Sequence, residues 1–451
     1  MEQLNIIKHD PWLKPFAAAI EGRHNDAVNK ERELTAEAGS LDNFANAHNY
    51  FGLHRTSRGG WIFREWAPNA TAITLIGDFS GWKPMKKFAL RRVNGSDGVW
   101  ETRVRPSDIH HGQHYKMLVE WDGGQGERIP AYAQRVVQDP ETGLFSAQVW
   151  DPENPYTWKV KKFDPDTRPL MIYECHIGMA QDREGVGTYA EFRDNILQRI
   201  HRDGYNAIQI MAIQEHPYYG SFGYHVSNFF AASSRFGTPE DLKSLIDRAH
   251  EFKIAVIMDI VHSHAVKNEA EGLGRLDGSY NQYFYGDGRR EHPAWDSLLF
   301  DYGKNEVLHF LLSNCKYWLE EYHFDGFRFD GVTSMLYYNH GMGQAFGSYD
   351  DYYNGGQDTN AITYLTLANK LIHEVNPRAI TIAEEMSGMP GLAIPFKDGG
   401  IGFDYRMAMG IPDYWIKTLK EKKDEDWKPT SIFWEPVSYT HLRAHEPVLD
   451  L

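Results

Sequence analysis

The sequence has little cysteine, no long apolar run and no excess of positive charge, and each shortage excludes a class of protein. Only two of the 451 residues are cysteines, Cys175 and Cys315, and both lie in apolar segments, which predicts buried free thiols. No apolar run reaches the roughly 18–20 residues that cross a bilayer. The formal net charge of −15 disfavours binding to the negatively charged phosphate backbone of nucleic acids. We therefore expect neither a nucleic-acid nor a membrane partner.

The amino terminus bears on where the protein is located, and the aromatic content bears on what its side chains contact. The first residues, MEQLNIIKHDPWLKPF, lack the apolar core of a signal peptide, which favours a cytoplasmic setting. Phe, Trp and Tyr make up 14% of the chain. Aromatic rings stack on sugars and also fill ordinary cores, so composition alone leaves both uses open.

Three regions differ in their residue pattern. Residues 1–58 are charged and predicted to be an N-terminal helical segment. Residues 59–150 contain short alternating runs broken by Gly, Asp and Pro, such as GWIFREWAPNATAITLIGDFSGW, which predict a small β-sandwich. Residues 151–170, rich in Pro and Lys, are predicted to be a linker.

From residue 171 onward, predicted strands alternate with predicted helices. The strand candidates are MIYECH (171–176), AIQIMA (207–212), IAVIMD (254–259), FDGFRFD (324–330) and AITIAE (379–384). The helix that follows the first strand begins with a predicted capping box of Thr188 and Glu191. Repeated β-then-α units indicate a parallel sheet or (β/α)₈ barrel over residues 171–434.

Acidic residues lie at the ends of three predicted strands: Asp259, Asp330 and Glu384. In a (β/α)₈ barrel the catalytic residues lie at the carboxyl ends of strands. Retaining glycoside chemistry needs two carboxyl groups about 5–5.5 Å apart, one as nucleophile and one as acid/base. Arg328 shares a strand face with Asp330, so its charge would keep that carboxylate ionised. The alternative is a structural ion pair in the barrel wall, with Phe324, Phe327 and Phe329 as core packing.

Two other motifs are weaker candidates for function. The His-x-His spacing of HSH (262–264) is typical of metal sites, but no further ligands follow at a recognised spacing. The glycine-containing GVGTYA (185–190) precedes a helix, and a turn into a capped helix explains it without a dinucleotide. We therefore predict neither a metal nor an organic cofactor.

Four segments resemble conserved regions of the α-amylase superfamily, and within it the 1,4-α-glucan branching enzymes. The segments are GYHVSNFF (223–230), DIVHSH (259–264), GFRFDGVTS (326–334) and IAEEMSGMP (382–390), and the flanks GVTSMLY and SGMP resemble the eukaryotic type. The resemblance implies Asp330 as nucleophile and Glu384 as acid/base. It implies substrate binding by a further set: Tyr224, Asp259, His264 and Arg328. The family usually has Asp after the acid/base glutamate, where this sequence has Glu385.

The upstream sandwich resembles the carbohydrate-binding module that precedes branching and debranching barrels. The segment WAPNATAITLIGDFSGW (66–82) carries this resemblance, so Trp66 and Trp82 either stack on glucan or pack in the core. The implied reaction is a retaining double displacement in which a glucan 6-hydroxyl accepts the chain cleaved from an α-1,4-glucan, as in glycogen biosynthesis. An amylase-like or debranching hydrolase and a non-catalytic glucan-binding protein remain alternatives.

The resemblance stops before a fourth conserved region. Branching enzymes carry a Glu-Ser-His-Asp run on the seventh barrel strand, with a third catalytic aspartate, and no such run occurs in these 451 residues. Residues 435–451, EPVSYTHLRAHEPVLDL, show no helix or strand pattern, and we interpret them as a non-native tail. We therefore expect an incomplete barrel, and we expect this chain alone to fold poorly and to be nearly inactive.

Overall fold

The computed structural model describes residues 3–165, 168–407, 410–433 and 448–449. The chain divides into two compact units, one formed by residues 44–325 and the other by residues 1–43 with 326–451. The first helices are α1 (Asn5–His9), α2 (Ala17–Ala38), α3 (Leu41–Phe44) and α4 (Ala47–Tyr50). Gly39, in the left-handed conformation with φ of +82°, ends α2.

Two antiparallel sheets follow the helical segment. Their strands are β1 (Gly52–Arg55), β2 (Trp61–Trp66), β3 (Ala70–Gly77), β4 (Arg91–Arg92), β5 (Val99–Val104), β6 (His114–Trp121), β7 (Gly124–Arg128), β8 (Val136–Gln138) and β9 (Phe145–Gln148). One sheet has the order β1-β2-β5-β4, and the other β3-β6-β9-β8 with β7 paired to β6.

Alternating apolar residues join these sheets into a sandwich. In β6, Tyr115, Met117 and Val119 point inward and are buried. The Tyr115 ring meets Phe63 of the opposite sheet edge-on, with centroids 6.4 Å apart. The first strand begins at Gly52, before the predicted boundary at residue 59, because four residues are too few for a visible alternation.

The predicted linker is held against a helix. The Tyr156 hydroxyl donates to Asp247 at 2.6 Å, and the backbone N–H groups of Lys159 and Val160 donate to the same carboxylate at 2.9 Å each. Two rings add stacking contacts: Trp158 on His323 at 3.9 Å and Phe163 on His250 at 4.1 Å. The described part of this segment has little regular structure, and residues 156–163 are nevertheless docked.

Strands and helices alternate in the rest of this unit. The strands are β10 (Ile172–Cys175), β11 (Ala207–Ile210), β12 (Gln214–Glu215), β13 (Asn228–Ala232), β14 (Ala255–Ile260), β15 (Ala265–Val266) and β16 (Ser297–Leu298). The helices are α5 (Tyr189–Glu191), which continues through a π-helical turn (Phe192–Ile196) into α6 (Leu197–Arg202), then α7 (Pro239–Glu251) and α8 (Asn305–Glu321). β10, β11 and β14 pair parallel in that order. The Thr188–Glu191 capping box is present as predicted.

The other unit continues the alternation after residue 325. Its strands are β17 (Gly326–Phe329), β18 (Ile380–Glu384), β19 (Tyr405–Met407) and β20 (Val448–Leu449), which pair parallel in that order. Its helices are α9 (Val332–Leu336), α10 (Thr359–Val375) and α11 (Gly410–Glu421). A side chain at Gly326 would meet the Ile380 carbonyl oxygen at 1.9 Å, so glycine is required where β17 approaches β18.

The five predicted parallel strands are all present, with ends displaced by one or two residues. β19 was not predicted, because its three residues offer no pattern. β20 falls within the segment where no strand was expected, since two residues can pair through their backbone alone; the other residues of 435–451 lie outside the described part of the chain. Both cysteines are buried and neither forms a disulfide, as predicted. No helix in the described ranges has the length and apolarity needed to span a bilayer.

Candidate active site

Three predicted site residues meet at the carboxyl ends of β17 and β18. Arg328 of β17 places Nη1 at 3.0 Å from Oδ1 of Asp330 and Nη2 at 3.3 Å from Oε1 of Glu384. Phe327 and Phe329, which point to the other face of β17, are buried. The arginine side chain is 7% exposed, while the side chains of Asp330 and Glu384 are 14% and 24% exposed. One buried guanidinium therefore bridges two carboxyls that solvent can still reach.

A backbone donor also orients Glu384. The N–H of Gly331, the residue after Asp330, donates to Oε2 of Glu384 at 2.8 Å. Burial raises the pKa of the Glu384 carboxyl, with a smaller opposing effect of Arg328 and a further increase from Asp330. Glu384 is thus the carboxyl whose proton is held more tightly than usual, as a general acid requires.

Three further predicted residues meet in the unit formed by residues 44–325. The Tyr224 hydroxyl donates to Oδ2 of Asp259, the penultimate residue of β14, at 2.7 Å. Nε2 of His264 lies 2.7 Å from the Tyr224 carbonyl oxygen. The six predicted residues therefore form two groups of three, each within one unit.

The contacts of His264 define its tautomer. A carbonyl oxygen only accepts, so Nε2 carries the hydrogen, and the Ser297 hydroxyl donates to Nδ1 at 3.2 Å. Burial lowers the pKa of His264 to about 4, so the ring is neutral near pH 7. The Trp295 ring stands edge-on to His264 at 5.0 Å and stacks on His292 at 4.0 Å. Trp295 and Ser297, from one loop region, thus both contact the His264 ring.

The two sandwich tryptophans differ in exposure. Trp66 is 8% exposed, donates from Nε1 to the Asp97 carbonyl at 2.9 Å and meets Tyr283 edge-on, which favours core packing. Trp82 is 40% exposed, and its Nε1 donates to Asp78 at 3.0 Å. Only Trp82 presents an open face on which a sugar ring could stack.

Sequence reasoning missed Ser297 and the bonds made by Glu385, which was noted only as a departure from the family. Ser297 lies far from His264 in sequence and has no local signal. Glu385 is fully buried, and Oε2 accepts from the Gly388 N–H at 2.7 Å.

Among the residues that the structure describes, no group of three or more His, Cys, Asp or Glu side chains could hold a metal ion. His262 of the HSH motif instead contacts Asn314 at 2.9 Å.

Two domain families match the chain. Residues 50–140 match the family described as carbohydrate-binding module 48 (isoamylase N-terminal domain), and residues 181–299 match the α-amylase catalytic domain. Solved structures agree on the fold. A putative α-amylase from Salmonella typhimurium superposes with a TM-score of 0.62 at 21% identity, covering 82% of this chain and 55% of that one. A pullulanase from Bacillus acidopullulyticus gives a TM-score of 0.61 at 18% identity, covering 80% and 45%. The predicted fold class, a sandwich module followed by an incomplete (β/α)₈ barrel, is confirmed.

Curated relatives share far more of the sequence. The 1,4-alpha-glucan-branching enzyme of Rhizophagus irregularis is 48% identical over 97% of this chain and 64% of its own length. Enzymes of the same name from Dictyostelium discoideum and Felis catus are 47% and 45% identical, over 95% and 98% of this chain and 63% and 64% of theirs. The chain thus spans less than two thirds of the length of these relatives. It belongs to the 1,4-α-glucan-branching enzyme family of the α-amylase superfamily.

Proposed function

We propose that the protein containing this chain is a 1,4-α-glucan branching enzyme that works by retaining double displacement. The observation that carries the proposal is the Arg328 guanidinium shared by Asp330 and Glu384, at 3.0 and 3.3 Å. It holds two carboxyls on adjacent strand ends, and burial raises the pKa of Glu384, the one assigned as acid. The relatives at 45–48% identity carry the branching name and support this assignment.

In the first step a carboxylate oxygen of Asp330 attacks the anomeric carbon of an α-1,4-linked glucose. The bond from that carbon to the departing O4 breaks, and Glu384 gives its proton to that oxygen. The product is a glucosyl ester on Asp330 with a neutral departing chain. Arg328 offsets the negative charge that Glu384 acquires on losing its proton.

In the second step a glucan 6-hydroxyl attacks the same carbon from the face that the departing chain has left. Glu384 takes the hydroxyl proton, and the ester bond to Asp330 breaks with return of the electron pair to the carboxylate. Two inversions retain the α configuration, and the new bond is an α-1,6 branch. We assign Tyr224, Asp259 and His264 to binding of the sugar beside the cleaved bond.

The test uses residues 1–434, joined to the remaining length of the Rhizophagus relative and incubated with amylose. We expect loss of iodine stain together with new α-1,6 linkages, and Asp330→Asn abolishes both because it removes the attacking carboxylate. Asp350→Asn, at an exposed turn outside the site, is the control. Reducing sugar released without new branches would favour the hydrolase. Glycogen binding without turnover would favour the non-catalytic protein.

A further inference from the structure

The residue after the candidate acid/base makes a set of buried contacts for which the proposed reaction gives no role. Glu385 is fully buried, and its Oε1 accepts from the Ser387 N–H at 2.6 Å and from the Ser387 hydroxyl. Its Oε2 accepts from the Gly388 N–H at 2.7 Å. One carboxylate therefore binds two successive backbone N–H groups of the turn that follows Glu384. Gly388 takes the left-handed conformation, with φ of +78°, that the turn requires.

The same carboxylate reaches the segment that follows Asp330. The Thr333 hydroxyl donates to Oε1 of Glu385 at 3.3 Å, and its oxygen accepts from the Met386 N–H at 2.8 Å. A second connection between the same two segments is the hydrogen bond from the Gly331 N–H to Glu384, at 2.8 Å. The two strand ends are thus joined twice, once through Glu384 and once through Glu385.

Two tyrosines complete the surroundings of the turn. The Ser387 hydroxyl donates its hydrogen to Glu385, so the Tyr337 hydroxyl, 2.7 Å away, donates to Ser387. The Tyr352 hydroxyl donates to the Ser387 carbonyl at 2.7 Å. The turn is consequently held by the side chains of Glu385, Thr333 and two tyrosines, which is more support than a surface connection between a strand and a loop needs.

We propose that Glu385 is a positioning residue that sets the separation of Glu384 from Asp330 by tying the turn after one to the segment after the other. The inference rests on the proposed function for the roles of those two carboxyls. The family usually has aspartate at this position, whereas the turn of this chain makes its contacts at the length of glutamate. In this same turn aspartate would withdraw the carboxylate by about 1.5 Å, one carbon–carbon bond. At that distance it cannot hold the Ser387 and Gly388 amides and the Thr333 hydroxyl together.

The test measures the position of Glu384 without requiring turnover. In residues 1–434 joined to the remaining length of the Rhizophagus relative, at a temperature where near-ultraviolet circular dichroism reports a folded state, the Glu384 carboxyl is titrated by infrared spectroscopy as the difference from Glu384→Gln. Glu385→Asp is expected to open the turn to water, so the raised pKa of Glu384 moves toward its ordinary value. Amide exchange at Ser387 and Gly388 is expected to accelerate about tenfold per lost hydrogen bond.

Three further variants separate positioning from general loss of stability. Thr333→Val removes the link between the strand ends and is expected to move the Glu384 titration in the same direction, whereas Thr333→Ser restores it. Glu65→Asp shortens another fully buried glutamate, in the sandwich, that accepts two backbone N–H groups, and it should leave Glu384 unchanged. If Glu385→Asp does not fold, the Thr333 pair decides the question.

The inference is overturned if Glu384 titrates as in the parent chain in both Glu385→Asp and Thr333→Val, or if Glu65→Asp shifts it equally. A shift of the Glu384 titration that Thr333→Ser reverses supports it. The branching assay and the titration of Glu384 are separate measurements. A negative branching assay would therefore overturn the proposed function without changing the result of the titration. When turnover is present, Glu385→Asp is expected to lower kcat by up to about 100-fold with little change in KM.

Discussion

At the scale of single residues, the positive charge of the Arg328 guanidinium allows the carboxyls of Asp330 and Glu384 to lie close together at partly buried strand ends. Its two terminal nitrogens contact one carboxyl each, at 3.0 and 3.3 Å, which is a use of the planar fork that an ammonium group cannot reproduce. The geometry therefore predicts that charge alone is not sufficient at this position.

Arg328→Lys keeps the charge but presents one compact donor group, so it cannot fix both Asp330 and Glu384. We expect kcat with amylose to fall about 100-fold or more, comparable to loss of one preorganised donor. The matched control is Arg64→Lys, whose guanidinium pairs with Glu101 at 2.7 Å in the sandwich. Parental turnover in Arg328→Lys would show that the shared guanidinium is not needed.

A second residue-scale prediction concerns Glu65, which is fully buried and accepts N–H groups from Trp66 and Ala131. Burial raises its pKa from 4.5 to about 8. The unfolded chain loses this proton above pH 4.5 while the folded chain keeps it to about 8, so stability falls as pH rises between these values. Near pH 7 the free energy of unfolding is lower by about 3 kcal/mol than it is below pH 4.5 as a result of this one group.

Glu65→Gln cannot ionise, so it should lose this pH dependence. Thermal unfolding is expected to give a higher Tm for Glu65→Gln than for the parent at pH 7.5, and the advantage should shrink or reverse at pH 5. Glu127→Gln, at an exposed position of β7, is the control and should show the same Tm difference at both pH values. An equal effect of Glu65→Gln at both pH values would contradict the prediction.

At the scale of elements, the docked linker is a feature that composition did not reveal. Pro and Lys in residues 151–170 predicted an extended connection, which the segment is. Its attachment depends on Asp247, which lies 91, 88 and 87 residues away in sequence from Tyr156, Lys159 and Val160. No local sequence pattern indicates contacts over such a separation. The sequence shows which segments lack regular structure, and tertiary contacts decide whether they are held.

Asp247→Ala should release this segment. It removes the acceptor of three hydrogen bonds, from Tyr156 and the backbone of Lys159 and Val160, and we expect faster tryptic cleavage after Lys159, Lys161 and Lys162. Glu251→Gln is the control, because its contact with Lys159, at 3.6 Å, is a surface ion pair of little energetic weight. Unchanged cleavage in Asp247→Ala would mean that the Trp158 and Phe163 stacks suffice.

Strand positions and strand-end acids were accessible from the sequence for a physical reason. Buried parallel strands are continuous apolar runs, and an acid at the end of such a run stands out. Ser297 and the contacts of Glu385 were not accessible, because they act through long-range hydrogen bonds. The exposure of Trp82 and the burial of Trp66 could not be distinguished either, since both occur in the same motif.

At the scale of the whole molecule, the 451 residues contain no Glu-Ser-His-Asp run, which the resemblance to the branching enzymes leads one to expect. The 451-residue chain alone is expected to leave the iodine stain of amylose unchanged, because it contains two of the three catalytic acids that the resemblance implies. The chain continued with the remaining length of the Rhizophagus relative should remove the stain. A robust loss of stain with new α-1,6 linkages from the 451 residues would contradict this prediction.

The parallel pairing of β17 with β18 also has a consequence for the order of events during synthesis. Gly331 and Glu384 are 53 residues apart in sequence, so their hydrogen bond requires the whole crossover, including α9 and α10, to have left the ribosome. The sandwich and the Tyr224–Asp259 contact are encoded earlier and can form first. A nascent chain would therefore complete the sandwich and the Tyr224–Asp259 contact before the contact between the strand ends that carry Asp330 and Glu384.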